Sequence, residues 1–202
     1  MPFSSSRAPS SSTWSATATT NVASALSLSY LSDSQAMRYV MRQKLFSLAV
    51  SFTIKDDNGR AAYHVNGQSF RIGNKLSLQD SHGNELVHID QRLLNWTPTY
   101  ELWRDGGLLA VVERELFSGL RHRFTIGVHG SDDLEAEGNF LDHQYIFTRR
   151  DQAVAVLTRR WLAFTATCGI EINEGEDLPL ILASAVVVEL VCRRRQTMFT
   201  IT

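Results

Sequence analysis

The stretch Leu178-Pro179-Leu180-Ile181-Leu182-Ala183-Ser184-Ala185-Val186-Val187-Val188-Glu189-Leu190-Val191-Cys192 decides the fold, because it is apolar all round. Asp177 stands where an N-cap belongs, and Pro179 falls in the first turn, where a helix tolerates proline. Glu174, Glu176 and Asp177 precede the run and Arg193, Arg194 and Arg195 follow it, so both ends complement a helix dipole. A helix with no polar face is surrounded either by protein or by lipid. About fifteen residues span about 22 Å, short of the ~30 Å hydrocarbon core, and Glu189 adds a cost in lipid. The run is therefore expected inside a protein shell, with a membrane tail anchor as the competing reading.

The shell is written upstream. From Tyr39 to about residue 175 the hydrophobic period is two, as in Phe52-Thr53-Ile54-Lys55, Lys75-Leu76-Ser77-Leu78-Gln79-Asp80 and Arg121-His122-Arg123-Phe124-Thr125-Ile126. Turn signals separate the runs: Asp57-Asn58-Gly59, Ser81-His82-Gly83-Asn84 and Asp105-Gly106-Gly107. About twelve strands fit before residue 175, which predicts an antiparallel meander or barrel. A weak repeat supports this. The segment 56–65 echoes 80–89, and 104–112 and 149–156 repeat the theme of strand end, polar turn and return strand. A hairpin cannot bury its apolar face alone, so the copies must share one core. Closure into a barrel removes exposed strand edges, and the chain is too short for complete propeller blades.

Residues 1–36 hold twelve Ser and four Thr against Arg7 and Asp33, a composition that cannot offset the entropy of ordering. They are expected to be disordered, either upstream of a true start at Met37 or as a plastid-targeting segment. The ordered domain is expected over 37–195, with a short tail at 196–202. The 202 residues carry a net charge of −1, which gives no support to nucleic-acid binding. Cys168 and Cys192 form no metal or redox motif, and a reducing, cytoplasmic compartment is the simpler reading.

Little in the sequence points to chemistry. Six histidines show no metal-ligand spacing, and no phosphate loop or nucleophile elbow opens a helix, so no catalytic residue, metal or cofactor is expected. Asp132 with Asp133, and Glu135 with Glu137, read as solvated pairs. Cys192 reads as a core thiol and Cys168 as the better placed of the two for reactivity. Trp96, Tyr100, Trp103 and Trp161 read as core or barrel-rim packing. Arginines supply the remaining signal, with 17 Arg against 3 Lys. Arg121 and Arg123 lie two apart on one strand face, and guanidinium groups bind phosphate bidentately. They are the candidate contacts for an anionic headgroup, set against a solvated face balanced by acids. Arg149-Arg150 and Arg159-Arg160 are expected to end or interrupt neighbouring strands.

Several spaced motifs resemble the LURP-one-related (LOR) family. The opening Met37-Arg38-Tyr39-Val40-Met41-Arg42-Gln43-Lys44-Leu45-Phe46-Ser47 is similar to that family's start, and Asp80-Ser81-His82-Gly83-Asn84-Glu85-Leu86 to its D-x-x-G-N-E turn. Pro98-Thr99-Tyr100-Glu101 resembles its P-T-Y-E strand. Glu135, Gly138, Phe140, Asp142 and Tyr145 match its E-x-x-G-x-F-x-D-x-x-Y segment. The resemblance covers about residues 38–192 and is nearer the bacterial branch than the plant one. It departs where Ala166-Thr167-Cys168-Gly169 replaces the usual D-T-Y-G. The resemblance implies a mainly β, Tubby C-terminal-like fold, a twelve-stranded antiparallel closed barrel around a central apolar C-terminal helix. It also implies kinship with phospholipid scramblases and with phosphoinositide-binding Tubby proteins, hence a non-catalytic barrel with an anionic phospholipid partner at a membrane surface. A structural or protein-interaction scaffold without ligand is the alternative.

Overall fold

The computed structural model describes residues 36–44, 50–67, 74–115, 121–139, 144–162 and 165–199. Twelve strands precede one helix: β1 (Ala36–Gln43), β2 (Ser51–Asp56), β3 (Ala61–Gly67), β4 (Lys75–Asp80), β5 (Glu85–Arg92), β6 (Thr99–Arg104), β7 (Gly107–Arg114), β8 (Arg121–Val128), β9 (Leu134–Asn139), β10 (Gln144–Arg149), β11 (Gln152–Leu162), β12 (Thr165–Asn173) and α1 (Leu178–Phe199). Every strand pairs antiparallel with its sequence neighbours, and β1 closes the sheet onto β12, with Tyr39 opposite Ile170. The expected closed twelve-stranded barrel is present. Alternation drives it: Phe52 and Ile54, Leu76 and Leu78, Val87 and Ile89, Phe124 and Ile126 all face inward and are fully buried or nearly so.

The repeat corresponds to one hairpin design. Asp56 Oδ1 accepts the backbone N–H groups of Asn58 (3.0 Å) and Arg60 (2.8 Å), and Asp80 Oδ1 accepts those of His82 (2.8 Å) and Asn84 (2.9 Å). Gly59, Gly83 and Gly106 take the positive φ these turns require. A register shift precedes the turn in each of the four hairpins, between Ile54 and Lys55, Leu78 and Gln79, Leu102 and Trp103, and Phe147 and Thr148.

A barrel of twelve strands is wider than side chains alone can fill, and α1 occupies its interior. Every residue from Leu180 to Cys192 is buried, so the apolar run packs against strands on all sides. Each large aliphatic side chain so buried contributes about 1.5–3 kcal/mol. Asp177 caps the helix as expected, accepting the Leu180 N–H at 3.2 Å, and its carboxylate is also held by Arg104 through two 2.8 Å hydrogen bonds. The helix runs on to Phe199, past the apolar stretch, because no Gly or Pro stops it. Among the described residues no helix is long and apolar enough to cross a membrane.

The two barrel ends differ in kind. One, the polar rim, gathers the turns after β2, β4, β6, β8 and β10 and the start of α1. Its connecting residues include Asp57, Asp105, Asp132, Asp133, Asp151, Glu174 and Glu176, with Arg60, Arg150, His82 and His129 as the basic residues. The opposite end, the apolar rim, holds the last residues of the odd-numbered strands and the end of α1. The loop between β5 and β6 belongs to this rim.

Candidate functional site

Arg121 is the first residue of β8, its Cα opposite Asn139 of β9; its side chain lies outside the described residues. Arg123 is described. It sits opposite Glu137 with its side chain 41% exposed, and donates to that carboxylate from Nη2 at 3.1 Å. That hydrogen bond, followed by the charges of Glu137, Glu115 and Glu135, raises the guanidinium pKa above its ordinary value. One face of β8 and β9 thus carries a cation set among acids. Arg149 pairs with Glu176 at 3.2 Å and Arg150 with Asp132 at 2.5 Å, so these two brace the polar rim.

The structure also assembles a polar cluster that periodicity alone does not announce. Arg114, His122, Tyr145, Arg159 and Cys168 sit at inward positions of five strands, toward the apolar rim, and all are buried. They surround Glu189 and Cys192 of α1. Glu189 is 1% exposed, and its carboxylate is paired with Arg159 Nε at 2.7 Å and Arg193 Nε at 2.5 Å. Tyr145 Oη lies 3.0 Å from His122 Nδ1 and 2.9 Å from Cys192 Sγ. Burial, the largest cause in each case, pushes the hydroxyl of Tyr145 and both thiols up from their ordinary values. The thiols therefore stay protonated at neutral pH and are poor nucleophiles. Cys168 is no better placed than Cys192, although Arg159 is its cross-strand partner, because desolvation outweighs that charge.

Chemically the cluster orients the helix. An all-apolar helix fits a barrel at many rotations and depths, whereas one carboxylate matched to Arg159 admits few. Asp177 with Arg104 makes a second anchor at the polar rim. The signal for the first was Glu189 in an otherwise apolar run; its partner needed the barrel register.

The spaced motifs have structural roles. A Cβ on Gly138 would meet the Tyr145 ring at 2.4 Å, so Gly138 makes room for the aromatic opposite it in β10. Tyr100 is buried and accepts a hydrogen bond from Asn74 Nδ2 at 3.2 Å, and Glu101 pairs with Arg92. Trp103 is half-buried, and the Trp161 side chain lies outside the described residues. Trp96 departs from the expected packing: it is almost wholly exposed. No group of three His, Cys, Asp or Glu among the described residues could hold a metal ion.

The family model described as LURP-one-related matches residues 37–189. The chain is similar to Uncharacterized protein YxjI of Bacillus subtilis (strain 168), at 28% identity over 152 residues, covering 75% of this chain and 91% of that protein. Its fold is similar to the X-ray structure of a protein from Arabidopsis thaliana, with a TM-score of 0.54 and 20% identity, covering 75% of this chain and 88% of that one.

Proposed function

The chain belongs to the LURP-one-related family, and from that premise we propose that it is a non-catalytic barrel that binds anionic phospholipid at its outer surface. One observation carries the reading. The barrel interior is taken up by α1, whose residues from Leu180 to Cys192 are all buried, so a ligand is met from outside. The protonated, buried thiols support a non-catalytic role. Arg121 and Arg123 are the proposed headgroup contacts, and the protein acts as a peripheral membrane protein in the cytoplasm. Residues 1–36 are dispensable for this.

Sedimentation of the full chain with phosphatidylcholine vesicles, with and without phosphatidylserine or a phosphoinositide, tests the proposal. Binding should require the anionic lipid, weaken with salt as exposed charges are screened over roughly 8–10 Å, and weaken in Arg121→Gln/Arg123→Gln. Absence of binding to every vesicle refutes it. The scaffold reading is favoured by the pairing of Arg123 with Glu137, which already neutralises one candidate contact; a protein partner without lipid binding supports that alternative.

A further inference from the structure

The β5–β6 loop, residues 93–98, leaves large apolar side chains in water. Leu94 is 97% exposed, Trp96 98% and Leu93 51%. The base of the loop is nevertheless tied down. Arg92 pairs with Glu101, Thr99 Oγ1 donates to the Thr97 carbonyl at 3.1 Å, and the Pro98 carbonyl accepts the Arg114 N–H at 3.3 Å. The loop therefore projects from a fixed base, and Leu94 and Trp96 pack on almost nothing. Adjacent apolar residues held in water mark an interaction site.

Three features select the partner. Trp has an apolar ring and one N–H donor, the combination that suits the boundary between headgroups and acyl chains. The projecting side chains are suited to inserting into a layer that yields around them. Charge supplies orientation: the connections of the polar rim concentrate acids, and the β5–β6 loop lies at the opposite end. A negatively charged surface repels the acidic rim and so favours approach by the end that carries the β5–β6 loop.

We propose that the chain docks with its apolar rim toward an anionic phospholipid bilayer, inserting Leu94 and Trp96 into the interfacial layer. This inference rests on the proposed phospholipid binding and specifies the element that enters the membrane. The test is partition of the full chain onto phosphatidylcholine vesicles containing phosphatidylserine. Leu94→Ser/Trp96→Ser should partition at least about tenfold more weakly than wild type, since it removes two large apolar groups from the interface. Its melting temperature should be unchanged, because neither side chain is packed. The vesicle-induced blue shift of tryptophan emission should be lost in Trp96→Phe. Equal partition by wild type and the double variant overturns the rim inference while lipid binding stands. Absence of wild-type partition, with or without a protein partner at the loop, overturns both.

Discussion

Replacing Gly138 with alanine should destabilise the barrel through a single methyl group. The added Cβ would lie 2.4 Å from Tyr145 Cδ1, 2.6 Å from Cε1 and 2.5 Å from the Gln144 carbonyl oxygen. Neither neighbour yields easily. The ring packs edge-on to Phe124 at 6.0 Å and is held at its hydroxyl by His122 and Cys192. The carbonyl belongs to the ladder that pairs Gln144 with Asn139. Gly138 has no positive φ, so the penalty is one of overpacking and not of backbone conformation. Overpacking costs about 1–3 kcal/mol, and a clash with backbone belongs at the upper end. At about 2–4 °C per kcal/mol for a domain of this size, thermal melts by circular dichroism should show a loss of roughly 6–12 °C. The loss should shrink in a Tyr145→Leu background, where the ring contacts are gone and only the carbonyl contact remains. A Gly138→Ala protein that melts within about 2 °C of wild type refutes this reasoning.

Glu189→Ala should cost about 3–5 kcal/mol in urea unfolding, because it strands the charge of buried Arg159, whereas Arg159→Met/Glu189→Leu should be far milder. Acid titration of stability should show the Asp177 anchor. Burial raises its pKa, but the hydrogen bonds from Arg104 and the Leu180 N–H, with the charge of Arg104, outweigh burial and hold it below the usual carboxylate range. Its contribution is present above about pH 4 and is lost as the pH falls through the depressed value, so Asp177→Asn should show a shallower acid decline. Cys168 and Cys192 should resist a thiol reagent at pH 8 in the native protein and react after denaturation, since burial keeps both protonated and covered.

The barrel was legible because its two periods are unambiguous. Leu76 and Leu78 against Ser77 and Gln79 admit one facing, and Leu178–Cys192 lacks any polar stripe for water. Glu174–Asp177 and Arg193–Arg195 marked the helix ends, although the helix itself continues through residues that carry no stop signal. The buried cluster was illegible because inward parity is a property of register. Arg114, His122 and Arg159 are polar letters in separate strands, and only closure of the sheet around α1 brings Arg159 to Glu189. The exposure of Trp96 is illegible for a related reason: an aromatic residue in a loop has no periodicity to assign it a side. Arg121 and Arg123 do share a strand face by alternation, but the acidic partner across from Arg123 comes from the β8–β9 pairing.

Native-state hydrogen exchange of the amides in residues 182–191 is the most direct measurement of whether α1 is the enclosed core of the barrel. Surrounded by strands, these amides should exchange only by global unfolding, with protection free energies equal to the unfolding free energy from urea and as slow as the central strands. Fast exchange of α1 while the strands stay protected would place the helix outside the barrel and contradict the enclosed-helix fold.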